Sequence, residues 1–197
     1  MLFSTVFLVS ITTVLAGVIP SSHSSTNPYC KPKETCEINP TLFAGVWYEI
    51  GTTDLLAYDD IKCKSYNYTF LTSGNEYVFG TPFNVTLTAK NKTSNAIVLE
   101  NGTGKFNNSS TYTVNLPLSY SNSTLYSNYT VKNVWTNEIG HYQRALLSNV
   151  IDGVDQLSIL ARTANISMVD LAIIRVYAFH AGYGLKDYRW KMANCTN

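Results

Sequence analysis

The sequence predicts an all-β domain, a sandwich or a barrel of eight short strands, followed by a single helix. Three observations carry this. Short runs of β-branched and aromatic residues recur from Leu42 onward, with 14 Tyr and 8 Phe in the chain, and both residue types suit half-buried pleated surfaces. The breaks between the runs are rich in turn-forming residues and fall at near-regular spacing. One later segment changes to a helical period.

Taken in order, strands are expected over 45–53, 64–72, 77–90, 96–106, 110–118, 125–136, 141–151 and 156–162. The turns between them hold Ser73-Gly74-Asn75, Lys90-Asn91-Lys92, Asn107-Asn108, the stretches 119–123 and 137–140, and Asp152-Gly153. The last of these lies between two apolar runs and is the clearest hairpin turn. Pro82 falls inside the third run. Without an N–H to give to a ladder, it either interrupts that strand or sits at a bulge. Beyond the eighth strand, Ser167 and Asp170 have the spacing of a capping box. Val169, Ile173, Val176, Tyr177 and His180 then fall at helical spacing, and Gly182 offers a stop. Such a helix can bury its stripe only against the sheet. Residues 185–190 suggest one more short strand. Strands followed by one helix, without an early Cys–Trp–Cys arrangement, exclude an immunoglobulin layout.

Composition narrows the function. At 197 residues the chain supports one domain with a full core. It is 45% hydrophobic but only 14% charged, with a net charge of +1, against a usual charged share of about a quarter. That balance excludes disorder. The absence of a basic run speaks against a nucleic-acid partner and against electrostatic membrane contact. Solubility then falls to hydroxyls, amides or attached sugar.

Residues 1–17 form an apolar run ending in small residues, with Val14 and Ala16 placed as −3 and −1 of a cleavage site. The run is shorter than the ~20 residues of a membrane span and reads as a secretory signal peptide, so the expected product is secreted and extracellular. Residues 18–38 form a Ser/Pro-rich arm without periodicity, and 39–197 the folded domain. No later segment is long and apolar enough to span a bilayer. Ten sequons follow, at Asn67, Asn84, Asn91, Asn101, Asn107, Asn108, Asn122, Asn128, Asn165 and Asn194. Together they point to the secretory route and should mark outward-facing positions. Four cysteines, Cys30, Cys36, Cys63 and Cys195, imply two disulfides with three possible connectivities. No Cys-x-x-Cys pair suggests zinc.

Nothing in the chain suggests an enzyme: there is no Gly-x-Ser-x-Gly elbow, no His-Glu-x-x-His and no glycine-rich phosphate loop. His23, His141 and His180 are scattered over the arm, a strand and the helix. His141 is the one strand position from which a haem would be held, and no other residue supports that reading. No cofactor or metal is implied.

The stretch Asn39-Pro40-Thr41-Leu42-Phe43-Ala44-Gly45-Val46-Trp47-Tyr48-Glu49-Ile50 resembles the first signature of the lipocalins, with flanks most similar to the apolipoprotein D and insect bilin-binding group. Leu157-Ser158-Ile159-Leu160-Ala161-Arg162 resembles the third signature, just before the helix. Trp135-Thr136-Asn137-Glu138 and Tyr142 stand at the middle motif, with Asn137 in place of an Asp and Glu138 in place of a Tyr. Arg144, on the next strand, replaces the small or apolar residue usual there. The resemblance spans Asn39 to Cys195 and implies an eight-stranded antiparallel up-and-down barrel with the C-terminal helix packed on its outside.

It further implies that Gly45, Trp47 and Arg162 plug the barrel base, the guanidinium stacking on the indole. It implies a bond from Cys63 to Cys195, which leaves Cys30 with Cys36 because the strand that carries the group's other bridge has no Cys here. The family's function is to hold one small hydrophobic ligand, a lipid, fatty acid, retinoid, sterol or tetrapyrrole. Candidate lining residues are Tyr77, Phe79, Tyr129, Tyr142 and Leu146, and a receptor at the cell surface is a further candidate partner. The competing expectation is a glycosylated recognition or scaffold protein whose barrel is filled and takes no ligand.

Overall fold

The computed structural model describes residues 35–53, 60–70, 77–119, 123–151, 153–183 and 191–192. The segment 1–17 expected to be a signal peptide, Cys30, Cys195, Asn122, Asn194 and the strand expected over 185–190 lie outside them.

The described chain opens with a single helical turn, α1 (Pro40–Phe43). Asn39 caps it by accepting from the Thr41 N–H, and Pro40 occupies a first-turn position where no N–H is needed. Eight strands follow: β1 (Gly45–Thr52), β2 (Ile61–Phe70), β3 (Pro82–Asn91), β4 (Ile97–Phe106), β5 (Thr111–Leu118), β6 (Ser123–Thr136), β7 (Tyr142–Ile151) and β8 (Val154–Ala161). Each pairs antiparallel with the next, and β1 pairs with both β8 and β2. The sheet therefore closes on itself as an up-and-down barrel without free edges.

All eight expected strands form, with end shifts of a few residues. The largest difference lies at the third. Strand pairing starts at Pro82, and the residues before it turn, the Thr81 N–H donating to Val78 O at 3.0 Å and the Gly80 N–H to Phe106 O at 2.8 Å. Pro82 is thus the first residue of its strand, where a missing donor is tolerated.

The helix α2 (Met168–His180) begins on Ser167, whose Oγ accepts from the Asp170 N–H at 3.1 Å. It ends in a Schellman turn: the Tyr183 N–H reaches Ala178 O and the Gly182 N–H reaches Phe179 O. The buried face is Leu171, Ile174 and Ala178, a correction to the expected stripe. Val169, Ile173 and Val176 point to solvent. The segment is apolar on nearly all sides, so spacing alone marks several faces equally well. After α2 a two-residue strand, β9 (Lys191–Met192), pairs with β1 beside Gly51 and Thr52.

Two apolar clusters follow from the pleat. One fills the barrel interior. The other joins α2 to the outward residues Ile50, Trp135, Leu146, Leu157 and Ile159. Arg144, unusual for its position, forms an ion pair with Asp170 at 2.7 Å and ties β7 to the first turn of α2.

Candidate functional site

The strand directions give the barrel two unlike ends. At one end β1 begins, beside α1 and the β8–α2 junction. At the other β1 ends, with the β3–β4, β5–β6 and β7–β8 connections around it.

The first end is closed. Trp47 is fully buried, its indole N–H donates to Phe43 O at 2.7 Å, and its ring stacks on Phe43 with centroids 4.8 Å apart. The Arg162 guanidinium lies over the indole at 3.9 Å. Its three nitrogens donate to the carbonyls of Tyr142, Val46 and Leu42, so one side chain ties α1, β1 and β7 together. Partial burial pushes its pKa down to about 10, which still leaves it protonated at neutral pH. Gly45 has φ of +92°, a conformation in which a side chain is strained. Asn137 supplies the turn role of the Asp it replaces, its Oδ1 accepting from the His141 N–H at 2.9 Å.

Above this plug the floor is aromatic. Phe43, Tyr68, Phe83, Phe106 and Tyr112 are in mutual ring contact. Tyr68 and Tyr112 share a hydroxyl contact of 3.4 Å. Burial pushes both phenol pKa values up, so these groups remain neutral and act as hydrogen-bonding wall. The space bounded by Glu49, Tyr66, Tyr68, Tyr129 and Ser158 is about 10 Å³, room for roughly one water. Toward the other end the inward residues become smaller: Phe83 gives way to Val85, Leu87 and Ala89 along β3, and Tyr112 to Val114, Leu116 and Leu118 along β5.

Of the five candidate lining residues, Tyr129 alone stands on the inner wall beside this space, stacked on Tyr112 at 5.1 Å. Tyr142 is at the closed end, where its hydroxyl accepts from the Asn39 N–H at 2.9 Å. Tyr77 is there too, its hydroxyl accepting from the Phe106 N–H and donating to Thr81 O. Phe79 is in the turn before β3 and half exposed. Leu146 faces outward into the cluster beneath α2. His141 is exposed in the closed-end turn and His180 is exposed at the helix end, so neither faces the interior.

Polar groups that sequence reasoning passed over do face inward. Glu49 accepts from Lys64 Nζ at 3.1 Å and from the Tyr66 hydroxyl at 3.4 Å. Glu100, Ser127 and Ser158 share the inner face by alternation along their strands. The signal was available for Glu49, which falls two residues after Trp47 and so on the same face.

Outside, the described sequon asparagines are exposed except Asn91, which is half-buried. Asn91 and Asn108 also turn the chain, their Oδ1 atoms accepting from backbone N–H groups two and three residues on. Cys36 and Cys63 are disulfide-bonded, and Cys36 and Ile38 pack into the interior cluster.

A closed eight-stranded up-and-down barrel with a plugged base and one outer helix is the lipocalin fold. Solved structures agree. Insecticyanin from the tobacco hornworm Manduca sexta superposes with a TM-score of 0.60 at 12% identity, over 86% of this chain and 88% of that one. Lobster apocrustacyanin A1 gives 0.54 at 18%, over 79% and 80%. The amine-binding protein of Rhodnius prolixus, in its tryptamine complex, gives 0.55 at 13%, over 82% and 85%. At these identities the likeness is one of fold. No protein-family model and no curated protein matches the chain.

Proposed function

We propose that this protein is a secreted carrier that holds one small hydrophobic molecule in the upper barrel and performs no chemistry on it. The observation that carries the reading is the gradient along the inner wall. Aromatic rings fill the floor, and Val, Leu and Ala replace them toward the far end of the same strands. A barrel of eight strands is wide enough for its own side chains or for one small ligand, and reduced side chains above a sealed floor favour the second. Affinity would come from removing apolar ligand surface from water, at roughly 25 cal/mol per Å². The amine-binding neighbour with tryptamine supports a small organic guest for this fold.

Secretion is part of the proposal, on the strength of the apolar leader over 1–17 and the sequons on outward positions. So are the pairings Cys63–Cys195 and Cys30–Cys36. The first would tie the tail to β2 and close a loop long enough to stabilise by ~5 kcal/mol from chain entropy.

The filled-floor space of about 10 Å³ favours a second reading, a glycosylated recognition scaffold with a solid barrel. Native mass spectrometry of the protein secreted from a eukaryotic host, with solvent extraction, separates the two. The carrier gives a glycosylated, leader-free chain with one bound small molecule, or saturable one-to-one binding of a retinoid, fatty acid or tetrapyrrole. An empty extract and no saturable binding of any of the three would leave the scaffold.

A further inference from the structure

Three charged side chains face the barrel interior among the described residues, and they are not balanced. Glu49 and Lys64 meet at 3.1 Å, whereas Glu100 stands on β4 beside Leu87 of β3, on the inward face it shares with Val98 and Phe106. Glu100 is only 6% exposed. The Ser119 N–H, at 2.8 Å, and the Ser119 hydroxyl both donate to its Oε1, so among the described residues Oε2 accepts no hydrogen bond. A carboxylate withdrawn from water without a cation is costly, and the inward ammonium of Lys64 is engaged by Glu49. A second observation is independent of the first. Ser127, 2% exposed on the inner face of β6 between Leu125 and Tyr129, holds its Oγ buried with no partner. A hydroxyl has a proton and lone pairs to offer, and this one lies on the inner face beside Val114 of β5, unpartnered among the described residues.

We propose that the barrel selects an amphiphile whose polar end is a protonated amine. Its ammonium donates to Oε2 of Glu100, and its apolar body lies along Val85, Leu87 and Leu116. The inward charge rules against the other common polar ends. A ligand carboxylate would meet Glu100 as a like charge in a low-dielectric wall, and an alcohol would leave the buried carboxylate uncompensated.

The inference rests on the carrier reading, and matched probes keep the two apart. The full-length secreted chain is titrated calorimetrically at neutral pH with dodecylamine, dodecanol and dodecanoate, each below its micelle concentration. The expected order is amine first, about tenfold tighter than the alcohol, with the carboxylate weakest. In Glu100→Gln, which keeps an acceptor for Ser119, the amine-to-alcohol ratio falls to within about threefold. Equal binding of the three probes, or a preference that survives in Glu100→Gln, overturns the amine assignment while leaving the carrier. Failure of all three to bind also overturns the amine assignment, and the carrier reading then stands or falls on the extraction and on the retinoid and tetrapyrrole titrations. The wild-type series needs no variant, so poor folding of Glu100→Gln would not shield the proposal.

Discussion

Arg162 is the residue on which the closed end turns. Its guanidinium makes three bonds to backbone carbonyls on three elements and covers the face of Trp47. Arg162→Ala should therefore destabilise by about 2–3 kcal/mol and lower the melting temperature by roughly 4–12 °C, read by circular dichroism. Arg162→Lys should restore only part of this, because a point charge cannot reproduce a planar fork; a variant as stable as the wild type would remove Arg162 from the account. Both Trp47 and Arg162 were legible in the sequence, because a motif at each end of the chain named them as a pair. Leu146 was not. Ala145, Leu146 and Leu147 are all buried, since one face of β7 meets the interior and the other meets α2. Period-2 alternation gives two faces and, when both are apolar, no sign of which is which.

Among the elements, β4 is the least conventional. Its inward Gly104 leaves the place of a side chain to its neighbours: a Cβ there would come within 2.6 Å of the Phe83 ring and of Thr113 O. The strand thus gives up its own packing so that Phe83 can enter the floor. Gly104→Ala should cost about 1–3 kcal/mol through overpacking, visible as a lower midpoint in chemical denaturation with an unchanged slope. A neutral substitution would mean that the ring has room to move. The strands themselves could be read from the sequence because their turns are punctuated by Gly, Asn and Ser. The aromatic run from Tyr77 to Phe79 has the composition of a strand, yet Pro82 delays pairing until the ladder can begin without a donor. For α2, existence, cap and end were legible, and its buried face was not. The contacts that hold that face, Leu171, Ile174 and Ala178 against outward strand residues and Arg144 with Asp170, join separate elements, and no local period contains them.

For the molecule as a whole, the two ends of the barrel have different chemistry. An indole, a guanidinium and a ring cluster seal one. The walls leading to the other carry small aliphatic side chains with a few inward polar groups. Low overall charge, 14% of residues, makes the inward Glu49, Lys64 and Glu100 more telling than they would be in an ordinary chain, because each occupies a position that alternation assigns to the core. The outer surface is divided as well. Asn67, Asn84, Asn101 and Asn128 are exposed on β2, β3, β4 and β6, while α2 covers outward residues of β1, β6, β7 and β8. The exposed sequons and the helix thus fall largely on different parts of the wall.

Where a guest sits can be observed directly by methyl NMR. With Ile, Leu and Val methyls labelled and dodecylamine added stepwise, the inward methyls of Val85, Leu87, Val114 and Leu116 should shift and saturate at one equivalent. Those of Ile159, Leu171 and Ile174, outside the barrel beneath α2, should stay in place. Shifts confined to Leu171, Ile174 and Val176 would put the guest on the outer helix and contradict an interior binding site.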